Sequence, residues 1–452
     1  MKQYKVAIIS SSVYSQHLAL LAMGKAFEGR GCEVVVACNR SLQGSVEAHG
    51  LSFYALSLHG AAKMDCSPKS DHALTCNDRI QQLIDITKEG AIKTLMHQAT
   101  VRTEAGAMPD GKQIIQDIAK MRDIEKPDIW VVEQNSVISR LALTALEEPF
   151  IAFCSSHPLT LPMPKGVHGV PSFWPKGMRP PKEDVRVVRK TAKGAHKRFT
   201  RRFNQLQRRF NKGLPKMEDA LRHTSPIAVL FNYPNFGNID NRHIDTHRIY
   251  LGASVVEETL SPMWRERLQQ SPKSAPKILI TFGTVFSERV DVTEACIKAA
   301  RAEYPNAMIV AVAGSQKDKL KHLEGENIHI ESCIPQRALI PHMDMVIHHG
   351  GVGTFTETLY FAKPMLVLPF AGDQFSVAYD TQYNHFGDVA DPSNLNVEEL
   401  RAKIKKVLET TDKWLLEFWS KRVRYAGPEN ALDQLRLFDD QKIFELKEAI
   451  SA

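Results

Sequence analysis

Residues His348 to Gln374, HHGGVGTFTETLYFAKPMLVLPFAGDQ, constrain the fold more than any other stretch of the chain. A short apolar run, Met345-Val346-Ile347, reads as a strand and passes at once into His349-Gly350-Gly351-Val352-Gly353-Thr354 and a helix. Glycines at the mouth of a helix let a ligand approach the backbone closely, and the helix start adds roughly half a positive charge. The loop therefore reads as an anion seat, with phosphate the best fit. Glu357, one turn into the helix, is placed to accept hydrogen bonds from a ribose diol. A second strand, Met365 to Pro369, leads to Asp373-Gln374, a polar pair suited to sugar hydroxyls. Phosphate, ribose and sugar groups in one strand–helix–strand unit point to a nucleotide-sugar donor.

A chain of 452 residues has room for two to three domains. Its 43% hydrophobic and 24% charged residues are ordinary for a globular protein. The longest apolar runs, such as Met308 to Ala313, fall far short of the ~18 residues of a membrane span. Met1 to Lys5 leads directly into strand-like Val6-Ala7-Ile8-Ile9 without a cleavage pattern, so no signal peptide is expected. The cysteines at 32, 38, 66, 76, 154, 296 and 333 form no CxxC pair. They read as free thiols of a reducing, cytoplasmic compartment.

Strand-like and helical stretches alternate along both halves, which predicts parallel sheets and an α/β, doubly wound fold. In the first half, Tyr4 to Ser10, Val34 to Cys38, Ile129 to Val132, Phe150 to Phe153 and Ile227 to Phe231 read as strands. In the second, Lys277 to Phe282, Met308 to Ala313, Ile328 to Ile330, Met345 to His348 and Met365 to Leu368 do so. Pro158 to Pro181, rich in Pro and Gly, reads as a long surface loop of the functional kind. Asn396-x-x-Glu399 resembles a capping box.

The order HGGxGT, ExL, P and DQ resembles the donor-binding signature of the family 1 (UDP-glycosyltransferase) enzymes. The likeness extends through Thr281-Phe282-Gly283-Thr284 and Ile334-Pro335-Gln336. It implies the GT-B fold, two Rossmann-like domains facing each other across a cleft. The implied division is an acceptor domain over 1–245, with a loop and basic helix at 158–214, and a nucleotide-sugar domain over 246–430. A C-terminal helix over 431–452 returns to the first domain. Near the phosphates the resemblance implies Gly283, Thr284, His349, Gly351, Val352, Gly353 and Thr354. For base and ribose it implies Cys333, Ile334, Gln336 and Glu357, and for the sugar Asp373 and Gln374. Cys333 stands where the family places an aromatic ring, Val377 where it has Asn, and Ala362 where it has Gly. A carboxylate at Glu357 suits a full ribose, hence UDP, with UDP-glucose as co-substrate and neither metal nor other cofactor.

Transfer to an acceptor hydroxyl calls for a base, and histidine suits neutral pH. The family's histidine lies in the loop after the first strand, here Ser10 to His17. Gln16 falls on the matching position and His17 one place later, so His17 is the expected base, with Gln16 as the residue that could face the site instead. Glu133 stands at the position of the orienting Asp, and His157 is a third candidate near the acceptor cleft.

The stretch Lys176 to Lys212 more than accounts for the net charge of +7. Within it Phe199, Phe203, Leu206 and Phe210 recur at helical spacing, ringed by Arg198, Arg201, Arg202, Arg208 and Arg209. Two readings stand: a solvated face whose aromatic stripe packs inward, or a basic helix over 197–212 resting on anionic lipid at the inner face of a membrane. No nucleic-acid-binding motif accompanies the charge.

Two functional classes follow. One is an inverting, metal-independent hexosyltransferase acting on a small apolar or amphipathic acceptor such as a polyketide, terpenoid, sterol or glycolipid. The other is a GT-B protein that binds nucleotide sugar without transferring it, an epimerase-like enzyme or a regulatory partner subunit. Acceptor-dependent UDP release separates them.

Overall fold

The computed structural model describes residues 3–57, 72–101, 111–239 and 246–435. Among these, the strands form two parallel sheets. The first has the order β3-β2-β1-β4-β5-β6-β7. Its strands are β1 (Lys5–Ile9), β2 (Glu33–Cys38), β3 (Ser52–Ala55), β4 (Ile129–Glu133), β5 (Phe150–Cys154), β6 (Ala228–Phe231) and β7 (His247–Tyr250). The second has the order β10-β9-β8-β11-β12-β13. It is built from β8 (Lys277–Thr281), β9 (Met308–Val312), β10 (Ile328–Glu331), β11 (Met345–His348), β12 (Met365–Val367) and β13 (Gly387–Val389). Central strands covered on both faces must be apolar throughout. Val6, Ala7, Ile8 and Ile9 of β1, and Met345, Val346 and Ile347 of β11, are accordingly all fully buried.

In each sheet the strand order reverses beside the first strand of that half, β1 lying between β2 and β4 and β8 between β9 and β11. Open α/β sheets bind ligands at the carboxyl ends of the strands flanking such a reversal. In the first sheet Ile9 pairs with Val132, so the turn after β1 lies next to Glu133. In the second Thr281 pairs with His348, which sets Gly283 beside His349.

Strand β7 joins the first sheet, Tyr250 pairing with Phe231, so that sheet runs past the join expected at 245. The chain then crosses at Gly252, whose φ of +69° and contact with Val423 admit no side chain; a Cβ would lie 2.7 Å from the Val423 carbonyl oxygen. The C-terminal helix Pro428–Leu435 returns to the first half. Its Ala431, Leu432 and Leu435 join the core beneath β1 and β2, and Arg30 pairs with Asp433 at 2.7 Å. Residues 436–452 of the expected terminal helix, and Cys66, lie outside the described residues. Cys32, Cys38, Cys154 and Cys296 are buried free thiols, and Cys333 is an exposed one.

The basic stretch forms one helix, Lys182–Phe210. Phe199 and Phe203 are buried against Leu141, Ala220 and Leu221, while Arg198, Arg201, Arg202, Arg208 and Arg209 stay exposed. Asn396 caps the helix Val397–Thr410, its side-chain oxygen accepting from the amides of Glu398 and Glu399. The helix His72–Lys88 leans across onto the second half, where Ile84 enters the core and Arg289 donates to the Thr87 hydroxyl at 3.0 Å. Among the described residues no helix is long and apolar enough to cross a membrane.

Candidate active site

The second-half crevice is shaped around the His349 imidazole. A Cβ on Gly283 (φ +69°) would come within 2.9 Å of the ring, and one on Gly351 would overlap it. Both positions therefore need glycine. Burial pushes His349 down to about 4, so its ring is neutral at physiological pH, and its Nδ1 is buried without a partner. The helix Val352–Tyr360 starts at Gly351 with no side-chain cap. Its first-turn amides at Val352, Gly353 and Thr354 lack intrahelical acceptors by construction and sit at the positive end of the dipole. Unpartnered donors beside a neutral imidazole fit an anion. Thr284 opens a single turn, Gly283–Phe286, on the opposite wall.

Glu357 sits deeper in the crevice. Its Oε2 accepts from Gln336 Nε2 at 2.6 Å, and Gln336 also donates to Thr354 Oγ1 at 3.3 Å and accepts from the Thr281 hydroxyl at 3.2 Å. Burial pushes Glu357 up to about 7, against the pull of Gln336 and Arg337. Gln336 thus orients the carboxylate through Oε2. Cys333 is exposed, and Ile334 packs partly into the core around Trp264 and Leu339.

Asp373 is the N-cap of the helix Gln374–Tyr383, which Gln374 begins. Gln374 Oε1 accepts from the amides of Phe370 and Ala371 at 2.9 and 3.0 Å, which turns its amide nitrogen outward. Asp373 Oδ2 accepts from the His157 amide, in the first half, at 2.9 Å.

The expected His17–Glu133 pair is not formed. His17 is fully buried in the first turn of the helix Tyr14–Gly29, its Nδ1 2.8 Å from Ser10 Oγ and its Nε2 without a partner. Burial, helped by His49, pushes it down to about 4. Glu133 is turned to its own strand end, where Oε1 accepts from the Asn135 amide at 3.2 Å and Oε2 is unpartnered. Burial pushes it up to about 7. The side chain of a residue ending β4 follows the local turn, and here the Asn135 amide captures it. Gln16 is half-buried and accepts from the Ser11 hydroxyl at 2.7 Å. Beside it, Ser15 Cβ lies 3.7 Å from where a Gly353 side chain would begin, so this turn faces the donor loop directly.

His157 has no lone pair to offer as a base. Its Nδ1 accepts from the Leu159 amide at 3.2 Å, so Nε2 carries the proton and donates to Asp380 at 2.9 Å. Asp380, Tyr233 and Asn238, which gather at this contact, belong to no motif. Asp380 follows Asp373 by seven residues, two helical turns, and that spacing on one helix face was the only signal for it.

Two doubly wound parallel sheets of seven and six strands, each with a switch point beside its first strand, define the GT-B class. The first half and the second superpose together on the crystal structure of the glycosyltransferase VinC in complex with dTDP, with TM-score 0.65 over 98% of this chain and all of that one, at 16% identity. Residues 297–416 match the family described as erythromycin biosynthesis protein CIII-like, C-terminal domain. That match covers about a quarter of the chain, and the fold as a whole is that of GT-B glycosyltransferase structures. A demethyllactenocin mycarosyltransferase of Streptomyces fradiae is 24% identical over 179 residues, 40% of this chain and 38% of that protein. The uncharacterized UDP-glucosyltransferase YdhE of Bacillus subtilis (strain 168) is 32% identical over 138 residues, 30% of this chain and 34% of its own length. The chain thus spans little more than a third of the length of these relatives.

Proposed function

We propose that the protein transfers a hexose from a UDP-sugar, with inversion at the anomeric carbon and without a metal, to a hydroxyl of a small apolar or amphipathic natural-product acceptor. The observation that carries the donor half is the Glu357 carboxylate, held through Oε2 by Gln336 one turn below an uncapped helix start. A ribose with both hydroxyls supplies donors to this buried carboxylate, and the diphosphate occupies the amides above it. Similarity to a mycarosyltransferase supports a natural-product acceptor.

In this reading the acceptor oxygen attacks the anomeric carbon from the face opposite the diphosphate. The bond from that carbon to the diphosphate oxygen breaks, and the charge left on UDP is held by the amides of Val352, Gly353 and Thr354 and by neutral His349. The acceptor proton passes to His17 Nε2, with Ser10 rather than Glu133 holding the ring through Nδ1. Because the ring is buried, this transfer requires the Ser11–Gln16 turn to open. Incubation with UDP-glucose and hydroxylated polyketides, terpenoids and sterols, with UDP followed by coupled assay, tests the reading. Release that depends on acceptor supports it; UDP-glucose left intact across the panel contradicts it.

Peripheral contact with anionic lipid is part of the same reading. A groove of about 1000 Å³ runs along the outer face of the basic helix, lined by Arg179, Lys182, Arg186, Arg189, Lys190, Lys193 and Lys197 around Trp174. Cations flanking an amphipathic ring suit a lipid surface, where an apolar acceptor would be met.

A further inference from the structure

The two halves are joined by a buried polar cluster that no donor or acceptor motif contains. Asp380, almost wholly buried on the helix Gln374–Tyr383, accepts three hydrogen bonds from the first half. They come from His157 Nε2 at 2.9 Å, the Tyr233 hydroxyl at 3.0 Å and Asn238 Nδ2 at 2.7 Å. The Tyr233 ring meets the His157 ring edge-on at 4.8 Å and stacks on Phe355 of the helix Val352–Tyr360 at 5.2 Å. His157 is therefore fixed on both ring nitrogens, by Asp380 on one side and by the Leu159 amide on the other. A buried carboxylate left with fewer donors would be costly, so the cluster persists only with every member in place.

Held in this way, His157 presents its own amide to Asp373 Oδ2, two turns nearer the start of the same helix. Asp373 is half-buried, and the bond sets which of its oxygens faces the crevice. A second first-half contact lies alongside, where Gln98 Oε1 accepts from the Gly372 amide at 3.2 Å.

We propose that His157 and Asp380 are positioning residues for the donor sugar: acting across the domain interface, they fix the carboxylate of Asp373 in the rotamer that receives a sugar hydroxyl. The inference rests on the reading of Asp373 and Gln374 as the seat of the sugar. It has a specific consequence. The nucleotide is held by the second half alone, whereas the sugar is recognised only when the first half is closed on it. Neither residue touches the reacting atoms.

The test is calorimetric titration of the full chain with UDP and with UDP-glucose. His157→Ala and Asp380→Asn are expected to weaken UDP-glucose about tenfold, the loss of one well-placed charged hydrogen bond, and to change UDP by less than about twofold. His157→Gln keeps an N–H near the position of Nε2 and should recover most of the affinity. Tyr233→Phe, which retains the stack on Phe355 and the fold if Asp380→Asn does not, should weaken UDP-glucose about threefold with UDP unchanged. Parallel loss of both ligands in the alanine variant, or UDP-glucose affinity unchanged in all four, overturns the inference alone. A wild-type protein that binds neither UDP nor UDP-glucose overturns the donor reading and the inference with it.

Discussion

Gln336 fixes the orientation of Glu357: its side-chain amide nitrogen lies 2.6 Å from the Glu357 carboxylate, and its carbonyl accepts the Thr281 hydroxyl at 3.2 Å. The carboxylate is thus tied, through Gln336, to the end of β8. Glu357→Ala should weaken UDP binding by about 1.5–3 kcal/mol, as expected for a hydrogen bond to a charged group, and dTDP binding far less. Titration of both nucleotides checks this, and equal losses would refute the ribose role.

The base assignment makes a kinetic prediction. His17→Ala should lower kcat by roughly 10²- to 10⁴-fold while the Kd for UDP-glucose barely changes. Ser10→Ala should lose less, because it releases the ring without removing it. Glu133→Gln should leave kcat close to wild type, since Glu133 bonds to the Asn135 amide and not to His17. Single-turnover rates decide the matter; a silent His17→Ala would transfer the role to another residue on the Ser11–Gln16 turn.

Glu133 carries a stability signature instead. Its pKa in the folded chain is pushed up to about 7 from 4.5, so folding favours the protonated carboxyl. The sign follows from linkage: the stabilising contribution is complete below about pH 4.5 and is lost as pH rises through 7. Glu133→Gln keeps the acceptor and removes the charge. It should therefore raise unfolding stability at pH 8.5 by about 1–3 kcal/mol and leave it nearly unchanged at pH 4. Denaturant titrations at the two pH values test this, and an equal shift at both contradicts it.

Much of this was legible in the chain because it is contiguous. The donor loop, Glu357 and the Asp373-Gln374 pair fall within one strand–helix–strand unit, and local sequence dictates their geometry. The two sheets followed from apolar runs such as Val6 to Ile9. Strands β3 and β13 were not read, because Ser52–Ala55 is half exposed at an edge and Gly387–Val389 is only three residues long. The His17–Glu133 pair failed for a related reason. Adjacent strand ends place backbones together, but rotamers chose Ser10 and Asn135 as partners. The Asp380 cluster draws on residues 157, 233, 238 and 380, and nothing local announces such a meeting.

The basic helix packs its phenylalanines inward and turns its arginines outward, as the packing reading expects. If the outer groove meets lipid, binding to vesicles containing phosphatidylserine should fall steeply between low and physiological salt. Charge reversal at Arg186, Lys190 and Lys193 should abolish it while UDP-glucose affinity is kept. Sedimentation with vesicles at low salt that leaves all protein in the supernatant would restrict the helix to packing.

The most direct test of the account is proton NMR of a reaction between UDP-glucose, in which the sugar is α-linked, and an acceptor that supports UDP release. The proposed attack from the face opposite a diphosphate on Val352, Gly353 and Thr354 predicts a β-linked glucoside appearing in step with UDP. An α-linked product, or free glucose with no glycoside, would contradict it.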